Sequence, residues 1–153
     1  MTFHNRKSTR IPDFDYSQHG TYFVTICTKN RQRILSTITK TEPPETVLLR
    51  HGEIADKTIC QMDAFYDSLS VEKYMIMPDH IHLLITIHAE QTKAPTIAQF
   101  VGTFKRFCNK EYGENIWQER YYDHVIRNEQ DYNEVWEYID NNPRKWVLTR
   151  DME

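Results

Sequence analysis

Several chemistries are made difficult by what this chain has little of. Cysteine is scarce: Cys27, Cys60 and Cys108 are isolated and odd in number, which excludes a disulfide framework and a Cys-x-x-Cys zinc site and leaves reduced, packed thiols as the expectation. Long apolar runs are absent, none approaching the roughly 20 residues of a membrane span. The first residues, Met-Thr-Phe-His-Asn-Arg-Lys, lack the apolar core of a signal peptide, so a cytoplasmic protein with no membrane partner is expected. Glycine and proline are few, at 4 and 6, and no repeat or low-complexity tract interrupts the chain. Its 153 residues favour one domain over residues 1–153, large enough to bury roughly two thirds of its unfolded surface.

A basic excess is also missing. Nineteen Lys and Arg face 22 Asp and Glu, for a net charge of −3, so composition gives no argument for nucleic-acid binding and only a local basic surface could supply one. Three clusters are available: Arg6, Lys7 and Arg10; Lys105, Arg106 and Lys110; and Arg144 with Lys145. Between Glu111 and Asp140 there are nine acidic residues against only Arg120 and Arg127, a stretch that would repel phosphates.

Periodicity gives an α+β order. Thr21 to Cys27, rich in β-branched and aromatic residues, reads as a strand. A loop follows through Thr39 to Glu45, and an amphipathic helix lies between about Gly52 and Ser68. The runs Ser70 to Met77 and His80 to Ile87 read as neighbouring strands turning at Pro78-Asp79, or as one bent strand. A second helix carries a Thr96-x-x-Gln99 capping box, an apolar stripe of Ile97, Phe100, Val101, Phe104 and Cys108, and Gly113 at its exit, with Lys105, Arg106 and Lys110 largely off the stripe. Asp123 to Arg127 suits a further strand, and Asp131 to about Asn142 a final helix. The order β-α-β-β-α-β-α resembles a ferredoxin-like or RRM-like antiparallel sheet with packed helices and an added C-terminal helix.

What the chain does have is a pair of histidines in an otherwise apolar strand, Met75-Ile-Met-Pro-Asp-His-Ile-His-Leu-Leu-Ile-Thr-Ile87. Strand side chains alternate, so His80 and His82 emerge from one face and suit two ligands of one divalent metal. Hydrogen-bonded core histidines are the plainer alternative, since buried polar rings need partners either way. The final helix carries a second constellation: Asp131, Val135, Tyr138 and Asn142 follow steps of four, three and four along one face. Tyr138 offers a nucleophile and Asn142 a carbonyl oxygen as a further ligand, although Pro143 makes a local cap at Asn142 an equal reading. A phenol with a pKa near 10 is a poor nucleophile unless its electrophile is metal-polarised. Scissile phosphates meet that need, and a phosphotyrosine conserves the bond for rejoining.

These residues resemble the REP-associated tyrosine transposases, within the HUH single-strand endonucleases and single-tyrosine transposases. Arg10-Ile-Pro with Gly20-Thr-Tyr-Phe-Val-Thr-Ile, Met77-Pro-Asp-His-Ile-His-Leu83, the Phe104-Lys105 helix, Trp117 followed by Asp123-His-Val-Ile-Arg127, and Asp131-Tyr with Tyr138-Ile-Asp-Asn-Asn-Pro-Arg-Lys-Trp146 fall in family order. The resemblance implies that His80 and His82 are metal ligands, that Tyr138 is the nucleophile, and that Asn142 stands where the family often places a Gln ligand. It also implies a Mg²⁺ or Mn²⁺ cofactor, a 5′-phosphotyrosine intermediate with a free 3′ hydroxyl, and single-stranded or hairpin DNA as partner, often engaged by a homodimer. Lys105, Arg106, Lys110, Arg144 and Lys145 are the expected DNA contacts, with Tyr or Trp stacking on unpaired bases.

Tyr121, Tyr122 and Tyr132 compete with Tyr138 for the nucleophile's role. Asp123 and His124 suit either DNA contact or a structural pair. Two other functions stay open on the residues alone: a phosphoester hydrolase using His80, His82 and His88, and a noncatalytic nucleic-acid-binding module or inactive relic.

Overall fold

The computed structural model describes residues 20–88 and 95–151; the cluster Arg6, Lys7 and Arg10, with its Arg-Ile-Pro motif, lies outside them. The chain forms β1 (Gly20–Thr28), a 3-10 turn (Lys29–Arg31), β2 (Ser36–Ile38), β3 (Thr46–Leu48), α1 (Arg50–Phe65), β4 (Leu69–Ile76), β5 (His80–Ile87), α2 (Ile97–Tyr112), β6 (Trp117–Val125), α3 (Glu129–Asp140) and α4 (Asn142–Asp151). Four strands make one antiparallel sheet in the order β4-β5-β1-β6. The helices α1 and α2 each carry the chain between strands that are not neighbours, which is the ferredoxin-like arrangement.

Alternation explains the layers. Tyr22, Val24 and Ile26 of β1 and Ile81, Leu83, Ile85 and Ile87 of β5 join Ala55, Ile59 and Met62 of α1 and Phe100, Phe104 and Cys108 of α2 in the main core. The opposite face carries Phe23 and Leu84, which pack on Val135 and Ile139 of α3. Helices on both faces leave β5 buried nearly throughout, which is why its sequence reads as a continuous apolar run. His80 and His82 share parity with Leu84 and therefore face α3.

The helix signals in the sequence have their structural counterparts in α2. Both halves of the Thr96 and Gln99 capping box form, and Gly113 closes the helix in the left-handed conformation at φ 83°. The expected loop at 39–45 is present and joins a hairpin, β2 to β3, whose strands are too short to show alternation. Three expectations are corrected. Strand β6 starts at Trp117 rather than Asp123, so the aromatic segment belongs to the sheet. The final helix is two helices: α3 stops at Asp140, and Pro143 sits in the first turn of α4, where its missing N–H costs nothing. Cys27 and Cys108 are buried as expected, but Cys60 is exposed, because it lies on the outer face of α1.

Helix α3 is fastened at both sheet edges. The Asn128 side chain caps its start by accepting from Asp131 N at 2.8 Å. The Asp131 carboxylate meets His124 Nε2 of β6 at 2.9 Å. On the other edge, Lys73 Nζ pairs with Asp140 at 2.6 Å, and Tyr132 donates to Glu72 Oε1 at 3.2 Å. A bulge between Val71 and Lys73 lets both β4 residues turn toward α3.

Candidate active site

The register of the sheet builds the site. Cys27 pairs with His80 and Thr25 with His82, so the imidazoles stand side by side at the start of β5, beside the turn that carries Asp79. His80 Nδ1 meets Asp79 Oδ1 at 2.7 Å, and His82 Nδ1 meets Thr25 Oγ1 at 2.9 Å. A carboxylate only accepts, so His80 carries its proton on Nδ1 and offers the Nε2 lone pair. The two Nε2 atoms are 3.2 Å apart, closer than twice a metal–nitrogen bond of about 2.1 Å. They share a hydrogen bond that one cation can replace, with Asp79 and Thr25 already orienting the rings from behind.

The electrostatics favour a neutral His82 ring. Burial first, then the positive charges around it from His80, Arg31 and Lys145, hold the His82 pKa well below the usual imidazole range, against a hydrogen bond from the ring to the Asn142 side chain that raises it. Burial works to raise the Asp79 pKa, but its bonds to His80 and Arg31 prevail and bring it to about 2. Arg31 grips that carboxylate through Nε and Nη2, both at 3.2 Å.

Helices α3 and α4 bring the remaining groups. The Tyr138 ring lies 5.6 Å from the His82 ring and 5.9 Å from that of Phe23. The backbone turns at Asn141, and Asn142 opens α4 with its side chain buried and hydrogen-bonded to His82. Lys145, one turn on, places Nζ 5.5 Å from the centre of the Tyr138 ring. Trp146 lies 6.5 Å from His80, under the Arg33 guanidinium at 5.2 Å.

Among the described residues, no group of three or more His, Cys, Asp or Glu could hold a metal ion. The groups near Tyr138 that could hold one are the two imidazoles and the Asn142 amide oxygen. This mixture suits Mn²⁺ and Mg²⁺, which accept oxygen-rich shells completed by substrate.

The other residues singled out in the sequence fall elsewhere. Tyr132 stacks on Trp136 at 5.9 Å and bonds Glu72, Tyr121 packs against the main core, and Tyr122 is exposed on β6. His88 bonds Ser70 at 3.0 Å, at the opposite end of β5 from His80, so the three-histidine set is not brought together. His124 is paired with Asp131, and Asp123 is buried. Lys105, Arg106 and Lys110 belong to α2, on the sheet face opposite the histidines. Lys105 Nζ donates to the Gln118 and Glu119 carbonyls at 2.7 and 3.2 Å, Arg106 donates to Thr103 Oγ1 at 3.0 Å, and Lys110 is exposed. Arg144 makes a two-pronged pair with Glu42, at 2.6 and 3.0 Å. Of these five basic residues, Lys145 is the one brought against Tyr138. The contacts of Asp79, Thr25 and Arg31 with the histidines are not legible in the sequence, apart from the signal of a carboxylate directly before His80.

Comparison with known proteins bears on the family and the fold. The family model described as "Transposase IS200 like" matches residues 16–142. An uncharacterized protein of Haemophilus influenzae is 29% identical over 167 residues, covering 94% of this chain and 91% of that one. The REP-associated tyrosine transposase of Escherichia coli K12 is 29% identical over 135 residues, covering 86% of this chain and 72% of its own. A solved REP-associated tyrosine transposase bound to a REP hairpin shares the fold, with a TM-score of 0.65 at 22% identity over 89% of this chain and 73% of that one. No helix among the described residues is long and apolar enough to cross a membrane. With the family model matching most of its length, this chain belongs to the IS200-like transposase family.

Proposed function

We propose that the chain is a metal-dependent endonuclease and strand transferase for single-stranded DNA, acting beside hairpins formed by imperfect palindromes. The observation that carries this reading is the meeting of Tyr138 with His82 and of Asn142 with the same ring. His80, His82 and Asn142 would hold Mg²⁺ or Mn²⁺, which when bound polarises phosphate oxygens and offsets the charge of the in-line transition state.

The protein's own groups do the rest. Tyr138 Oη attacks the scissile phosphorus, an oxygen–phosphorus bond forms, and the bond to the 3′ oxygen opposite it breaks. The phenol proton passes to solvent, and the departing 3′ oxygen takes up a proton to become a hydroxyl. Lys145, over the Tyr138 ring, supplies positive charge beside the developing phenolate and the phosphate. Attack by a 3′ hydroxyl on the phosphotyrosine reverses the step and joins strands. A homodimer belongs to this reading through the family alone.

The test uses labelled hairpins from the DNA flanking the gene, incubated with and without Mn²⁺. A denaturation-resistant protein–DNA adduct that needs Mn²⁺ and disappears in Tyr138→Phe is expected. Cleavage with no adduct would point to a hydrolase; no cleavage on any flanking hairpin would point to a binding module.

A further inference from the structure

Tyr122 is left without a part in the chemistry above and Arg31 has only that of holding Asp79, and the fold places both beside the histidines. Tyr122 pairs with Thr25, and Thr25 with His82, so the three form one row across the sheet on the histidine face. With strands about 4.8 Å apart, Tyr122 stands roughly 10 Å from His82 along that row, about one or two nucleotides away. The next row, Leu84, Phe23 and His124, is closed over by α3. The row of Tyr122 is open at the β6 end, where the tyrosine is 49% exposed.

Arg31 approaches the same place at the cost of backbone strain. Asn30 and Arg31 both take left-handed backbone angles, with φ of 57° and 52°, which disfavours any residue with a Cβ. The turn is held there by Thr28 N donating to Asp79 O at 3.0 Å and Lys29 N to Ile116 O at 2.8 Å. The result aims the guanidinium at Asp79 and brings Nη2 to 3.5 Å from His80 Nδ1. Asp79 engages Nε and Nη2, whereas a guanidinium has five N–H donors, and the Arg31 side chain is 52% exposed. Asp79 offsets the Arg31 charge, and the donors it does not engage, on a half-exposed side chain, leave the guanidinium able to take a second anion. The turn that carries Arg31 is bonded through Lys29 N to Ile116 O, next to the start of β6, and Tyr122 of that strand contributes to the electrostatics of Arg31.

We propose that Tyr122 and Arg31 form a nucleotide subsite beside the histidine pair, in which Tyr122 stacks on the unpaired base next to the scissile phosphate and Arg31 binds the phosphate between them. An exposed aromatic on an open sheet is sequence-tolerant for stacking, and a guanidinium reads phosphate through paired donors. The subsite rests on the DNA-cleaving reading above, and the experiment separates the two.

Wild-type protein is first tested for the Mn²⁺-dependent adduct on flanking hairpins with single-stranded extensions; no adduct on any of them overturns the cleavage reading. The same hairpins, carrying 2-aminopurine at successive unpaired positions, are then bound to Tyr138→Phe, which cannot cut. Quenching at one position is expected, lost with roughly tenfold weaker binding when Tyr122→Ala is added, and kept when Tyr122→Phe is added. Arg31→Ala is expected to weaken DNA binding while leaving Mn²⁺ binding without DNA unchanged or tighter. Parental quenching and affinity in Tyr122→Ala would overturn the stacking role. Weaker Mn²⁺ binding in DNA-free Arg31→Ala would reduce Arg31 to a support for Asp79.

Discussion

Asp79 does more for the histidine pair than its place in a turn indicates. It fixes the proton of His80 on Nδ1 and neutralises Arg31 beside the ring. Asp79→Asn keeps the shape but removes the charge, and an amide can present its N–H to the ring and reverse the tautomer. Mn²⁺ affinity measured by calorimetry should fall by about 10- to 100-fold, the usual effect of losing such a partner. Unchanged affinity would show that the ligands are oriented by packing alone. His82 gives a second test in chelator. Its folded pKa lies well below the ordinary 6.5, so as pH falls below about 6.5 the unfolded chain takes up a proton that the folded ring refuses. Stability contributed above that pH is lost on acidification, by up to about 1.4 kcal/mol per pH unit. Urea unfolding at pH 7.5 and 5.5 should show a shallower loss in His82→Gln; equal losses would sink the argument. His80, His82 and Tyr138 were legible because strand and helix periods place them, whereas Thr25 and Arg31 meet the histidines only through cross-strand register and a strained turn, which no local pattern reveals.

Among the elements, the hairpin and the start of α1 hold one another closely. A Cβ on Gly52 would lie 1.9 Å from the Leu35 carbonyl oxygen, which also accepts from Leu49 N at 3.0 Å. Alanine normally favours a helix interior by about 1 kcal/mol over glycine, but here the contact is with backbone and cannot be relieved by a rotamer change. Gly52→Ala should therefore destabilise by roughly 1–3 kcal/mol; a raised melting temperature would contradict the packing. The break between α3 and α4 has a different lesson. Pro143 correctly marked the end of one helix, yet it also suits the first turn of the next, and the sequence pattern does not say which. Because the chain turns at Asn141, Asn142 reaches His82 and Lys145 reaches Tyr138, a geometry hidden in a reading of one continuous helix.

At the scale of the whole molecule, a net charge of −3 has to coexist with the proposed binding of DNA phosphates. The acidic stretch from Glu111 to Asp140 is partly neutralised within the fold: Asp131 meets His124, Asp140 meets Lys73, and Glu111 lies 3.6 Å from Lys57. Among the described residues, the Lys and Arg side chains whose charges act on His82 are Arg31 and Lys145, while Lys105, Arg106 and Lys110 lie over the other face. If DNA binds at the histidine face, log affinity should fall linearly with log salt, by a slope of about 0.7 for each phosphate neutralised on a single strand. Lys145→Ala should then lower both the affinity and the slope by about one such unit, and Lys110→Ala neither. Lys105→Ala should lose stability, because its ammonium satisfies two carbonyls at the outer edge of β6. The reverse pattern, with the slope set by Lys105, Arg106 and Lys110, would place the DNA across α2 and leave Tyr138 on the wrong side of the sheet to reach it.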